Sequence, residues 1–77
     1  MRIYDPDTKR VLDRVTLFLT PDEARELGQT ASDLAQSPQK HHEHVPDAEF
    51  KREITVAVYT PENLTQYDSE SRKIIAA

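Results

Sequence analysis

The run Thr20-Pro21-Asp22-Glu23 constrains this chain more than any other stretch, because it fixes where a helix begins. A threonine at the cap accepts a hydrogen bond from the backbone N–H three residues on, and a glutamate at that position accepts one from the threonine N–H. Proline suits the first helical position, where its missing N–H costs nothing. Asp22 and Glu23 also lie at the positive end of the helix dipole. The far end is marked by Ser37-Pro38, since a residue before proline avoids the helical region. Between these limits, Pro21 to Gln36, the residues Ala24, Leu27, Ala31, Leu34 and Ala35 recur at helical spacing. Gly28 weakens the centre by roughly 1 kcal/mol relative to alanine. With Ala24 and Ala31, it is expected to let the helix approach a sheet closely.

Strand patterns lie on both sides. Met1 to Tyr4 reads as a short strand, and Asp5-Pro6-Asp7-Thr8-Lys9 carries turn chemistry. A second strand is expected over Arg10–Leu19, with Val11, Val15, Leu17 and Leu19 on one face and Leu12, Arg14, Thr16 and Phe18 on the other. The two would form a β-hairpin. Gln39 to Phe50 is a polar connection, with one helical turn expected at Pro46–Glu49. Arg52–Thr60 is β-branched and alternating: Ile54, Val56 and Val58 share one face, and Thr55, Ala57 and Tyr59 the other. Thr60-Pro61-Glu62-Asn63 then echoes the first helix start. Leu64, Tyr67, Ile74 and Ile75 continue at helical spacing, and Asp68-Ser69-Glu70-Ser71 is placed to restart a helix.

The expected architecture is a single α+β domain over residues 1–77. A small three-stranded, mainly antiparallel sheet (β-hairpin, helix, strand) carries the main helix on one face, followed by a short C-terminal helical segment. The helix would cover Val15, Leu17, Leu19, Ile54, Val56 and Val58. The opposite face, with Leu12, Phe18, Ala57 and Tyr59, is too apolar for a solvated surface. It is expected to be covered by the C-terminal segment, or else by another protein.

A chain of 77 residues holds a core worth only about 3–5 kcal/mol unless something staples it. There is no cysteine, so no disulfide does so, which accords with a reducing compartment. No apolar run reaches the roughly 20 residues that cross a bilayer, and Met1-Arg2-Ile3-Tyr4-Asp5 has no apolar signal region. A cytoplasmic protein with no membrane association is the expectation. The net charge of −4 argues against non-specific nucleic-acid binding, which needs a cationic face.

Side-chain chemistry concentrates at His41, His42 and His44, with Glu43, Asp47 and Glu49 close by. On an extended strand His42 and His44 would share a side, with His41 pointing away. With Asp47 or Glu49 folding back, the pair would offer three ligands to zinc or nickel. Exposed histidines also take up such metals adventitiously, and no cofactor is required. The same cluster would change charge between about pH 5 and 7 and alter a docking surface. Catalysis has little to stand on. There is no cysteine nucleophile and no GxSxG elbow, and the single glycine rules out a glycine-rich phosphate loop.

The order of a strand, the Leu19-Thr20-Pro21-Asp22-Glu23 helix start, the His42-Glu43-His44 pair and a final strand resembles small bacterial immunity proteins of polymorphic toxin systems. The resemblance covers about residues 15 to 60 and leaves the segment from Asn63 outside the pattern. It implies a stoichiometric binder of a toxin enzyme, with no catalysis of its own. The expected function is therefore a small acidic, non-enzymatic protein-binding module that occludes a partner. Its contacts would be His42, Glu43, His44, Asp47 and Glu49, with Phe18 and Tyr59 as aromatic anchors. A metal-binding regulator or carrier using His42, His44 and Asp47, and a structural homodimer, are the alternatives.

Overall fold

The computed structural model describes all residues, Met1–Ala77. Two short strands, β1 (Ile3–Asp5) and β2 (Arg10–Leu12), form an antiparallel hairpin. Asp5 shapes its turn by accepting hydrogen bonds from the Asp7 N–H and the Thr8 hydroxyl. Helix α1 (Pro21–Gln36) follows, and then one turn of 3-10 helix at Pro38–Lys40. β3 (His42–Pro46) and β4 (Glu53–Ala57) make a second antiparallel hairpin, with Val45 opposite Ile54 and Glu43 opposite Val56. A 3-10 turn at Leu64–Gln66 leads into α2 (Ser69–Ala76).

Helix α1 starts and stops where its sequence says it should. The Thr20 hydroxyl accepts from the Glu23 N–H at 3.2 Å, and a Glu23 carboxylate oxygen accepts from the Thr20 N–H at 2.9 Å. The other Glu23 oxygen accepts from the Ala48 N–H at 3.0 Å, so the cap also ties the helix to the β3–β4 turn. These N–H donors, first that of Thr20 and then that of Ala48, hold the Glu23 carboxyl below the usual glutamate range. The buried stripe of α1 is Leu34, flanked by half-buried Leu27, Thr30 and Ala31. It lies on the β3–β4 face formed by Val45, Ile54 and Val56, and Leu34 and Val45 are the only buried apolar residues.

Gly28 is not part of that contact. It faces outward, and a Cβ built there meets nothing within 4 Å. The expected close approach to a sheet is therefore corrected, and glycine at this position carries only its entropic cost. Gly28→Ala should stabilise the fold by about 0.5–1 kcal/mol. At this chain length that raises the thermal midpoint by several degrees, about 4–8 °C per kcal/mol. A lowered midpoint would show that the position is packed after all.

The sheet differs from the expectation. There are two two-stranded sheets, not one three-stranded sheet. The predicted strand Arg10–Leu19 ends at Leu12, bends at Asp13 and continues to Thr20 without a ladder partner. Val15, Leu17 and Leu19 consequently remain 54%, 46% and 38% exposed and are not roofed by α1. Conversely, the connection expected to be irregular contains β3. Pro46 closes that strand, so no helical turn forms at Pro46–Glu49.

The C-terminal segment takes a different place too. Asp68 caps α2 by accepting from the Ser71 N–H, and the Tyr4 hydroxyl donates to Glu70 at 2.9 Å, joining α2 to β1. The outer face of β4, with Thr55, Ala57 and Tyr59, stays exposed. Neither helix is long and apolar enough to cross a membrane.

Candidate functional site

The histidine region is built on a hydrogen-bonded clamp at the open end of the β3–β4 hairpin, remote from its turn. Asn63 is 4% exposed, and all its polar atoms are used. Its N–H donates to the Thr60 hydroxyl, and its Oδ1 accepts from the Thr60 N–H at 2.8 Å. Its Nδ2 donates to the carbonyls of Pro38 and Val58 at 2.9 and 2.8 Å. The Thr60–Asn63 exchange repeats the Thr20–Glu23 cap in shorter form, with asparagine in the glutamate's place. The Tyr67 hydroxyl lies 2.7 Å from the His41 carbonyl and 2.9 Å from that of Val58, so its proton is shared between them. Partial burial pushes the Tyr67 phenol above its ordinary range. The chain after α1, the start of β3 and the end of β4 are thereby tied at one point.

Three imidazoles stand next to this clamp. His41 has left-handed backbone, φ 50°, which a non-glycine residue adopts at some cost. Its ring therefore does not turn away from the others as alternation predicts. It lies edge-on to Tyr67, with centroids 5.3 Å apart, and against His42, with Nδ1 atoms 2.7 Å apart. That separation requires one ring to donate and the other to accept. His42 and His44 share a side of β3 as expected, with ring centroids 5.3 Å apart. Beside them on the same face stand the cross-strand neighbours Ala57 and Thr55.

His44 Nδ1 lies 2.9 Å from the Thr55 hydroxyl and 3.5 Å from Glu53. Both partners meet the same ring nitrogen. A nucleophile–base–carboxylate relay uses the two nitrogens separately, so these three residues do not make one.

The other expected site residues are dispersed. Glu43 alternates to the α1 side of β3, near Thr30 and Lys40. Asp47 serves the β3–β4 turn: Oδ1 accepts from the Lys51 N–H at 2.8 Å and the Arg52 N–H at 3.3 Å. Those bonds, the Lys51 one foremost, hold its carboxyl below the usual aspartate range. Glu49 pairs with Lys51 across 3.2 Å on the same turn. Asp47 therefore does not fold back onto His42 and His44, and no group of three or more histidine or carboxylate side chains converges to hold a metal.

The two aromatic anchors are also separated. Tyr59 follows β4 on the histidine side, 43% exposed. Phe18 is 93% exposed and borders a cleft of about 600 Å³ on the opposite side, between the Thr16–Leu19 segment and the Val45–Ile54 end of the hairpin. Asn63 and Tyr67, which fix the geometry of the site, were not among the expected site residues. The Thr60-Pro61-Glu62-Asn63 echo was the one sequence signal for Asn63.

Comparison with protein-family models, with curated proteins and with solved structures gives no match.

Proposed function

We propose that this chain is a non-catalytic protein-binding module that occludes its partner, in the manner of a small cytoplasmic inhibitor or immunity protein. The observation that carries this reading is the uncovered face of the β3–β4 hairpin. It presents His42, His44, Thr55 and Tyr59 on a two-stranded scaffold whose reverse side is seated on α1, and neither helix covers it. Rigid elements present such groups at low entropic cost on binding. Aromatic and histidine side chains on a flat strand surface supply contact area together with hydrogen bonds. The outer edge of β4 is unpaired, so a partner strand can add to it. The acidic net charge of −4 favours a basic partner surface. A metal-carrier role would rest on His42 and His44 alone, because Asp47 is engaged in the turn.

The test is affinity capture from the source cell, with the wild type and with His42→Ala/His44→Ala/Tyr59→Ala as baits. A specific partner is expected, bound stoichiometrically by the wild type. The variant should lose at least about tenfold in affinity, as befits removal of an interface anchor, while its circular dichroism stays unchanged. Equal capture by both baits, or no capture at micromolar bait, contradicts the reading.

A further inference from the structure

Residues Val15 to Leu19 form the most apolar stretch of the chain that lacks both a strand partner and a covering layer. Phe18 is almost fully exposed, and Val15, Leu17 and Leu19 keep between a third and just over half of their surface in water. The molecule as a whole shows the same excess. A folded monomer of 8.9 kDa is expected to expose about 4,800 Å², and this chain exposes 6276 Å². Its radius of gyration is 13.0 Å, where a compact chain of this length has about 11.5 Å. The surplus area of about 1,500 Å² exceeds the roughly 800 Å² that each partner buries in a stable complex.

We infer that a second copy of this chain covers the segment, the two Val15–Leu19 stretches pairing antiparallel about a two-fold axis. Symmetry and pleat together fix the register. A two-fold axis relating two neighbouring antiparallel strands stands perpendicular to the sheet and keeps each side chain on its own face. Paired residues must then have the same parity, so the axis passes through a residue and not between two. Leu17 is the centre of the apolar run, and placing the axis there matches every member. Leu17 meets Leu17, Val15 meets Leu19, and Thr16 meets Phe18 of the second copy. A shift of the axis to Thr16 or Phe18 leaves one end of the run against a charged residue or a proline. Pro21 has no N–H to extend the ladder, so pairing stops where α1 begins. Arg14 falls opposite Thr20 of the second copy, beside the acidic first turn formed by Asp22 and Glu23. This surface is separate from the histidine face, and the inference does not depend on the function proposed for that face.

Sedimentation velocity and light scattering across a dilution series test it. The wild type is expected to have twice the chain mass at micromolar concentration. Leu17→Asp and Phe18→Asp, which change side chains exposed in the single chain, should give the single-chain mass with the same circular dichroism. Their dissociation constants should be weaker by at least about a hundredfold, since each substitution enters the interface twice. The absence of native cysteine makes the register directly readable. Leu17→Cys should oxidise to a covalent dimer, because facing Cα atoms about 4.5–5.5 Å apart are within disulfide reach. Thr16→Cys, facing Phe18 instead of itself, should not. A wild type that stays monomeric at 100-fold higher concentration than the assay floor overturns the inference. So does a dimer unaffected by both aspartate substitutions, or one in which Thr16→Cys cross-links as readily as Leu17→Cys.

Discussion

Leu34→Ala is expected to leave the protein largely unfolded at room temperature. Leu34 is 1% exposed and is the one large side chain fully enclosed between α1 and the β3–β4 hairpin. Removing three carbons from such a site costs about 2–5 kcal/mol, because the lost transfer energy is joined by the cavity left behind. A domain this small holds only about 3–5 kcal/mol in total. The substitution therefore consumes most or all of the stability, with no second apolar cluster of comparable burial to compensate. Urea titration at fixed protein concentration, followed by far-ultraviolet circular dichroism, should show the cooperative transition moved to very low urea or absent. A midpoint within about 0.3 M of the wild type, worth less than about 1 kcal/mol at typical slopes, would place the core elsewhere.

Asn63→Ala should be nearly as damaging, although it removes no apolar packing of note. Two carbonyls, those of Pro38 and Val58, lose the amide donor, and the Thr60 N–H loses its acceptor. An orphaned buried polar group costs about 1–3 kcal/mol, and some of these groups gain water when the site opens, so the expected loss is about 2–3 kcal/mol. Asn63→Asp separates the roles of the two ends of the amide. It keeps an acceptor for the Thr60 N–H but sets a carboxylate oxygen against two carbonyl oxygens. It should be at least as destabilising as alanine at neutral pH. Tyr67→Phe, which removes one shared proton from the same clamp, should cost less than either. Thermal melts of the three variants at one concentration check the order, and an Asn63→Ala melt matching the wild type would contradict the clamp.

Much of the fold was legible because some residues act locally. Thr20, Pro21 and Glu23 determine a helix start from their own backbone geometry, and Ser37-Pro38 determines its end. The structure places α1 at Pro21–Gln36 accordingly. Ile54, Val56 and Val58 alternate cleanly, and β4 lies within the expected span. Asp68 and Ser69 mark the restart that became α2. The failures share a cause. Strand character depends on a partner and a buried face more than on the segment itself. The alternation from Arg10 to Leu19 looks like a strand, yet no neighbouring strand pairs with it beyond Leu12. His42-Glu43-His44-Val45-Pro46 looks like a loop, yet it pairs with β4 and places its single hydrophobe, Val45, in the core.

For the candidate site, sequence spacing gave the shared side of His42 and His44, and nothing longer-ranged. Asp47 went to turn N–H groups because an aspartate close to a hairpin bend finds backbone donors before it finds distant imidazoles. Phe18 and Tyr59 parted because the strand expected to carry Phe18 beside β4 does not form. Left-handed corners at Lys9, His41 and Phe50 could not be anticipated, since the only glycine is spent inside α1.

The central claim is that β3 and β4 form a two-stranded hairpin seated on α1, with the far edge of β4 open. Amide hydrogen exchange measured residue by residue tests it most directly. The Val58 N–H donates to the His41 carbonyl, and antiparallel alternation then directs the Val56 and Ile54 N–H groups toward β3 as well. The N–H groups of Thr55 and Ala57 point outward, away from β3. Slow exchange at Ile54, Val56 and Val58 with fast exchange at Thr55 and Ala57 is the predicted pattern. Uniform protection from Glu53 through Val58 would mean that a third strand covers the β4 edge, and the open edge would not exist.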